Sequence, residues 1–346
     1  LAPEGQLQLG HVMETWAQPW VLDTVIFTLG LAGVSTLLTL VLGLPAAWVF
    51  ARFSFPGKAV ARALTVVPFV LPTVVVGSAF LALLGPRSPL NELLTAVFGE
   101  GFPQVRLDGT VGAILIAHVF YNVAVIVRLV GGMWGHIDPR TEEAARMLGA
   151  SPWGAFRAVT WPLLRPAVIS AASIVFLFTV TSFGVVLLLG GPRDVTLEVE
   201  IYRQTAILLD LPTAAALTIL QLAGIVALLL TSARAQEGLA LQQRLRGTGE
   251  TARRPRAGRE RWVVGLILAA TMLFMFVPLA VLVERSLQWG DGYGLGAYAS
   301  LLESDPRMRL SAAPWHSVVD SLTFALATTF IAGTLGLMAA AVVGYR

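Results

Sequence analysis

Glu143-Ala144-Ala145-Arg146-Met147-Leu148-Gly149, followed after nine residues by Val159-Thr160-Trp161-Pro162, is a polar island in an otherwise apolar chain. Just upstream, Asp138-Pro139 reads as a helix start, with the aspartate as N-cap and proline at the first helical position. Glu142 and Glu143 then fall near the positive end of the helix dipole. Gly149 should stop that helix. A second short helix can begin at Ser151-Pro152 and carry Trp153, Phe156 and Val159 on one face, until Pro162 and Pro166 break it. Two helical pieces with a bend at glycine are too charged to cross a bilayer and too apolar on one side for a plain loop. Such a hairpin is expected to lie on a membrane surface and to offer itself to a partner.

The surroundings are those of a membrane protein. The chain is 56% hydrophobic and 13% charged, with a mean hydropathy of +0.74, whereas a soluble domain carries about 25% charged residues. Apolar runs that meet the roughly 20 residues of a spanning helix lie near 21–50, 60–84, 110–134, 166–191, 212–232, 262–283 and 317–345. The expected fold is therefore all-α, a polytopic transmembrane helical bundle of about seven spans in this sequence.

Basic residues orient it. Arg52, Lys58 and Arg62 share one loop, the loop around Glu143 carries four arginines, and 233–261 carries eight, and these three loops alternate with the others along the chain. Placing them inside gives fifteen Lys/Arg against six Asp/Glu on that face, and seven against fifteen on the other. That asymmetry puts residue 1 outside and both the Glu143 loop and Arg346 in the cytoplasm. All nine tryptophans fall near segment ends or in loops, where an interfacial aromatic belt requires them. The sequence opens on Leu1 rather than methionine and has no signal-like basic region followed by an apolar run, so an N-terminal piece is expected to be missing.

Residues 233–261, rich in Arg, Gln and Gly, read as a solvated cytoplasmic linker between a first half, 1–232, and the start of a second, 262–346. Asp320-Ser321 with Phe324, Leu326, Leu335 and Leu337 echoes Asp23-Thr24 with Phe27, Leu29, Leu38 and Leu40 at a constant offset of 297. A weak internal repeat is expected in transporters built from two similar halves. On that reading the second half is truncated, and a second hairpin lies beyond Arg346.

Several chemistries lack their residues. A phosphate-cradling loop needs G-x-x-x-x-G-K-[ST], yet the lone lysine, Lys58, is followed by Ala59 and has Arg52 at the first glycine position. No H-E-x-x-H, G-x-S-x-G or paired-histidine spacing occurs, so no catalytic residue, metal ligand set or cofactor is assigned to this chain, and the enzyme reading is rejected. With no cysteine, thiolate sites are excluded. Inside the spans the polar inventory is short. His118, Tyr121 and Asn122 stand at i, i+3 and i+4 on one helical face. Intramembrane polar groups usually face a bundle interior or a water-filled path, so these three, with Ser182 and Gln221, are candidates for a substrate pathway. Helix–helix hydrogen bonding is the alternative. Pro68, Pro72 and Gly77 are expected to interrupt or kink the second span.

The motif Glu143-Ala144-Ala145, three residues, Gly149, nine residues, then Val159-Thr160-Trp161-Pro162 resembles the EAA loop of bacterial ABC importer permeases, with Val159 and Trp161 where isoleucine and leucine are commoner. The resemblance implies a permease subunit of the inner membrane, moving substrate by alternating access. Glu143, Ala144, Ala145, Gly149, Trp153, Phe156 and Pro162 would then form the cytoplasmic coupling helix region that docks on separate ATPase subunits. ATP and magnesium would belong to that partner, and an external solute-binding protein would deliver cargo. Nucleic acid has no place in this reading. Within the family the chain is most similar to two-half permeases of thiamine and thiamine-diphosphate importers. Val70-Leu71-Pro72, Ala117–Asn122, and Ser182–Pro192 running on to Thr196–Tyr202 carry that likeness. Ferric-iron permeases come next, and an exporter component or non-importer membrane scaffold is the alternative of another class.

Overall fold

A computed structural model describes residues 9–86, 88–99, 101–237, 252–290, 292–302 and 313–344. Among them, seven helices are long and apolar enough to cross a membrane: Pro19–Arg52, Thr73–Phe98 (a composite), Val111–His136, Pro152–Val180, Leu211–Arg234, Arg259–Ser286 and Pro314–Val342. The described residues fall into two compact units, Leu1–Val281 and Leu282–Arg346. The sequence-based halves divide the chain differently, by a repeat. Much of the expected linker, 238–251, and both chain ends lie outside the described residues.

In the first unit, α1 (Leu9–Trp16) leads into α2 (Pro19–Arg52), which packs along α7 (Val111–His136). Small residues permit that approach: a Cβ on Gly43 would sit 2.8 Å from Ile126 Cβ, and one on Gly131 would sit 3.3 Å from the Ala47 carbonyl oxygen. α7 is the central helix, with 72% of its apolar window covered by protein. Its own Ile114 and Phe120 are fully buried, as are Phe50 of α2 and Phe80 in the same cluster.

The run expected as one span at 60–84 is broken. It forms α3 (Lys58–Leu64), the single turn α4 (Val67–Val70), an extended Leu71, and α5 (Thr73–Leu84), after which α6 (Pro89–Phe98) completes the hydrophobic length. Pro72 makes the break, because proline holds the preceding residue out of the helical region. Gly77 does not kink α5. A Cβ there would meet Leu188 Cδ1 at 2.6 Å, so the glycine admits a neighbour, α11 (Gly184–Leu189).

The fourth span also departs from expectation. α8 (Pro139–Met147) and α9 (Pro152–Ala155) form the hairpin, but Pro162 and Pro166 do not end the second piece. α9 passes through a π-turn at Phe156–Thr160 into α10 (Trp161–Val180). In that wide turn the Trp161 N–H donates to Phe156 O, five residues back. The widening gives Pro162 room where a regular turn would press its ring on a carbonyl. The span therefore ends at Val180, and α11 is a separate short helix.

α12 (Leu197–Tyr202), a π-turn at Arg203–Ile207, α13 (Leu211–Glu237) and α14 (Arg259–Ser286) follow. The described end of the linker is pinned rather than solvated. Ser54 N–H donates to Arg253 O at 2.9 Å, and Arg253 N–H donates to Arg52 O at 3.1 Å. The Arg253 guanidinium lies 5.1 Å from the Phe53 ring centroid and pairs with Glu260. Thus the Arg52 loop, the hairpin and the linker end share one end of the bundle, as their common charge requires. In the second unit, a two-residue hairpin of β1 (Gln288–Trp289) and β2 (Gly292–Tyr293) precedes α15 (Gly296–Ala299) and α16 (Pro314–Gly344).

Candidate functional site

The hairpin is built by its caps. Asp138 accepts from Arg140 N–H at 3.0 Å and Ser151 from Gly154 N–H at 3.0 Å, so each helix starts on a side-chain cap followed by proline. Gly149 ends α8 with φ +95°. Its N–H donates to Arg146 O at 3.0 Å, and Ala150 N–H donates to Ala145 O at 3.1 Å, the bond pair of a Schellman turn.

The hairpin is braced against the bundle by Glu142, which the sequence places only at the positive end of the helix dipole and not among the coupling residues. Glu142 lies 3.4 Å from Arg52 Nη2 and accepts from Thr160 Oγ1 at 2.9 Å, while Arg52 Nη1 donates to Ile137 O at 3.1 Å. Glu143, Ala144 and Pro162 are exposed and Ala145 is half-covered. Met147, Leu148 and Trp153 stand out at 90%, 91% and 69% exposure. Phe156 anchors the base, stacked on Trp153 at 5.4 Å between centroids and 6.0 Å from Trp134. A patch of this kind, apolar at its centre, rimmed by charge and held on a stiff element, can seat in a partner's groove.

A second candidate lies mid-bundle. His118 is 2% exposed, with Ser35 Oγ 3.0 Å from Nδ1 and Ser182 Oγ 2.9 Å from Nε2. A neutral imidazole donates at one nitrogen and accepts at the other, and two hydroxyls satisfy either tautomer. Asn122 Nδ2 donates to His118 O at 2.9 Å. Tyr121 OH donates to Leu71 O at 2.7 Å. That carbonyl is orphaned by the break at Pro72, since Val75 N–H goes to Pro72 O at 3.0 Å.

His118, Tyr121, Asn122 and Ser182 line one cavity of about 310 Å³, together with Phe69 and Phe178. Its wall holds aromatic faces and neutral polar atoms and, among the described residues, no charged side chain. Gln221 does not join them. It is on α13, where it donates to Glu198 and leaves its own buried Oε1 without a partner among the described residues. Ser35 was missed by the sequence reading, because a serine in a long apolar helix carries no signal until its partner across the bundle is known.

The hydroxyl of Tyr121 thus has a structural task. Tyr121→Phe is expected to destabilise the bundle by about 1 kcal/mol while uptake per folded molecule stays within about threefold. Thermal unfolding in detergent, measured beside transport, checks this. A transport collapse at unchanged stability would mean that the hydroxyl touches cargo.

Known proteins supply the context. Residues 39–237 match the profile of the family described as binding-protein-dependent transport system inner membrane component. The chain is 37% identical over 184 residues to a molybdenum transport system permease of Azotobacter vinelandii, covering 52% of this chain and 79% of that one. It is 31% identical over 317 residues to a thiamine transport system permease of Brucella abortus, covering 90% of this chain and 54% of the relative. The chain thus spans about half the length of that relative. Among solved structures, a bacterial ABC transporter involved in the import of the acidic polysaccharide alginate superposes with a TM-score of 0.59 at 16% identity, over 69% of this chain and 86% of that one.

Proposed function

This chain belongs to the family of binding-protein-dependent transport inner-membrane components, as the match over residues 39–237 establishes, and from that premise we propose that it moves thiamine or thiamine diphosphate into the cell. On this reading a solute-binding protein delivers cargo from outside, and a separate ATPase docks on the α8–α9 hairpin in the cytoplasm. Closure of the ATPase on ATP pulls the hairpin, and the α9–α10 continuity carries the pull into a spanning helix. ATP and magnesium belong to the partner, and this chain is a transport subunit rather than an enzyme.

The observation that carries the coupling half of the proposal is the hairpin itself. Its apolar tip is exposed, yet its orientation is fixed by the Gly149 turn and the Arg52–Glu142–Thr160 brace. For the cargo half, support comes from the neutral cavity and from the thiamine permease likeness over 90% of the chain. Aromatic faces attract a cation through the ring quadrupole, by about 0.5–2 kcal/mol per contact. A second reading, an oxyanion importer, has the molybdenum permease likeness behind it. A ferric-iron importer and a non-importing scaffold are further outcomes of the same test. In a deletion strain complemented with the full protein, labelled thiamine and thiamine diphosphate should enter while molybdate, sulfate and ferric iron do not. Uptake confined to an oxyanion or to iron would overturn the thiamine assignment, and no energised uptake at all would return the chain to a scaffold role.

A further inference from the structure

At the hairpin end of the bundle the ends of α2 and α7, with α3 and Ala252 of the linker end, line an open recess of about 730 Å³. Lys58, Arg62 and Arg128 line it, and among the described residues none of the lining is acidic. We propose that this recess is an anion site that receives the phosphate end of the cargo on its way out of the membrane. The inference rests on the pathway reading above and adds to it the charge class of what travels.

Three observations converge. Two of the cations are held in place, with Lys58 Nζ donating to Phe53 O at 2.7 Å and Arg62 Nη2 to Phe50 O at 3.0 Å. Each has further N–H groups to offer. Arg128 is exposed and lies on a spanning helix, where an ionisable side chain is costly unless it does something. Burial first, and the neighbouring Arg62 second, hold the Lys58 amine below its ordinary range, so a second cation stands close enough to be felt.

The recess also continues the mid-bundle cavity. Arg128 follows Tyr121 by seven residues, close to two helical turns, so it sits on the same face of α7 about 10 Å further along. Thr65 and Val66 wall the recess, and Phe69 and Thr73, further along the same broken segment, wall the cavity. Gly132 adds no side chain, and a Cβ there would meet nothing within 4 Å. An ester with an aromatic cation at one end and phosphates at the other would match both compartments, aromatic and neutral first and cationic next. Free thiamine would match only the first.

Phosphate can also come from a lipid headgroup, so the test separates the two sources. The full protein with its ATPase is placed in nanodiscs of phosphatidylcholine and titrated with inorganic pyrophosphate. Wild type should bind, and Arg128→Gln and Gly132→Asp should each weaken binding about tenfold or more, with assembly and melting temperature as folding controls. Absence of binding in wild type, or equal binding in both variants, overturns the site. If phosphatidylglycerol in the disc abolishes pyrophosphate binding, the occupant is a lipid headgroup and the cargo assignment falls. In uptake, Arg128→Gln should lower thiamine diphosphate entry about tenfold and leave thiamine within twofold, and an equal loss of both would contradict the proposal. Should wild type import neither compound, the thiamine reading fails, while the pyrophosphate titration still decides the site.

Discussion

Gly149→Val is expected to abolish coupled transport while the protein still inserts and assembles. Gly149 sits at φ +95°, and no atom lies within 4 Å of an added Cβ, so the penalty is one of backbone conformation alone. A β-branched residue in that region costs roughly 1–3 kcal/mol. The chain can escape the cost by undoing the turn after Arg146, which swings α9 away from its seat. Uptake and binding-protein-stimulated hydrolysis should fall at least about tenfold, as 1.4 kcal/mol is a factor of ten. Gly149→Asn, which tolerates a left-handed backbone, should stay within about threefold. If the valine variant transports and stimulates hydrolysis as wild type does, the fixed bend has no part in coupling.

Trp153→Ala is expected to weaken ATPase assembly about thirtyfold or more, the range for a buried aromatic anchor worth at least about 2 kcal/mol. The indole is 69% exposed in the isolated chain and rests on the Phe156 ring, so its removal leaves the bundle core intact. Phe156→Ala would be harder to read, because that ring also packs near Trp134 and Trp161. Retention of the ATPase through size-exclusion chromatography, with the melting temperature unchanged, measures the effect. Normal assembly of Trp153→Ala would move the docking surface elsewhere.

What could be read from the sequence was what neighbouring residues decide. Asp138-Pro139, Gly149 and Ser151-Pro152 act within one turn of themselves, and the structure has each cap in place. The seven apolar lengths were legible for the same reason, since hydrophobic length is a local sum. The breaks were not. Nothing in Val180-Thr181-Ser182-Phe183 announces that the helix stops. α11 is set apart by its packing on α5, where a Cβ on Gly184 would meet Thr73 and one on Gly77 would meet Leu188. Pro162 was read as a breaker because proline opposes a regular helix, and a π-turn removes that opposition.

Pairings across the chain were equally hidden. Glu142 and Glu143 are indistinguishable by composition, yet the first is tied to Arg52, ninety residues away, and the second faces outward. The grouping of His118, Tyr121 and Asn122 followed from helical spacing, and Ser182 was a polar residue in the right place. Gln221 satisfied the same criterion and lies on another helix beside Glu198. Helical phase is readable from a sequence, whereas the neighbour each phase meets is set by packing.

The coupling role of the hairpin can be tested without disturbing its fold, because the chain has no cysteine. Met147→Cys places one thiol at a position that is 90% exposed on the tip of α8. With a bifunctional reagent, this variant in the assembled transporter should cross-link to the ATPase subunit in high yield, and ATP should alter that yield. A cysteine at Gln104, exposed in the loop that precedes α7 and so at the far end of that helix from the hairpin, should give no such product. An ATPase that co-purifies with the permease but cross-links to neither Met147→Cys nor Leu148→Cys would contradict docking through this hairpin.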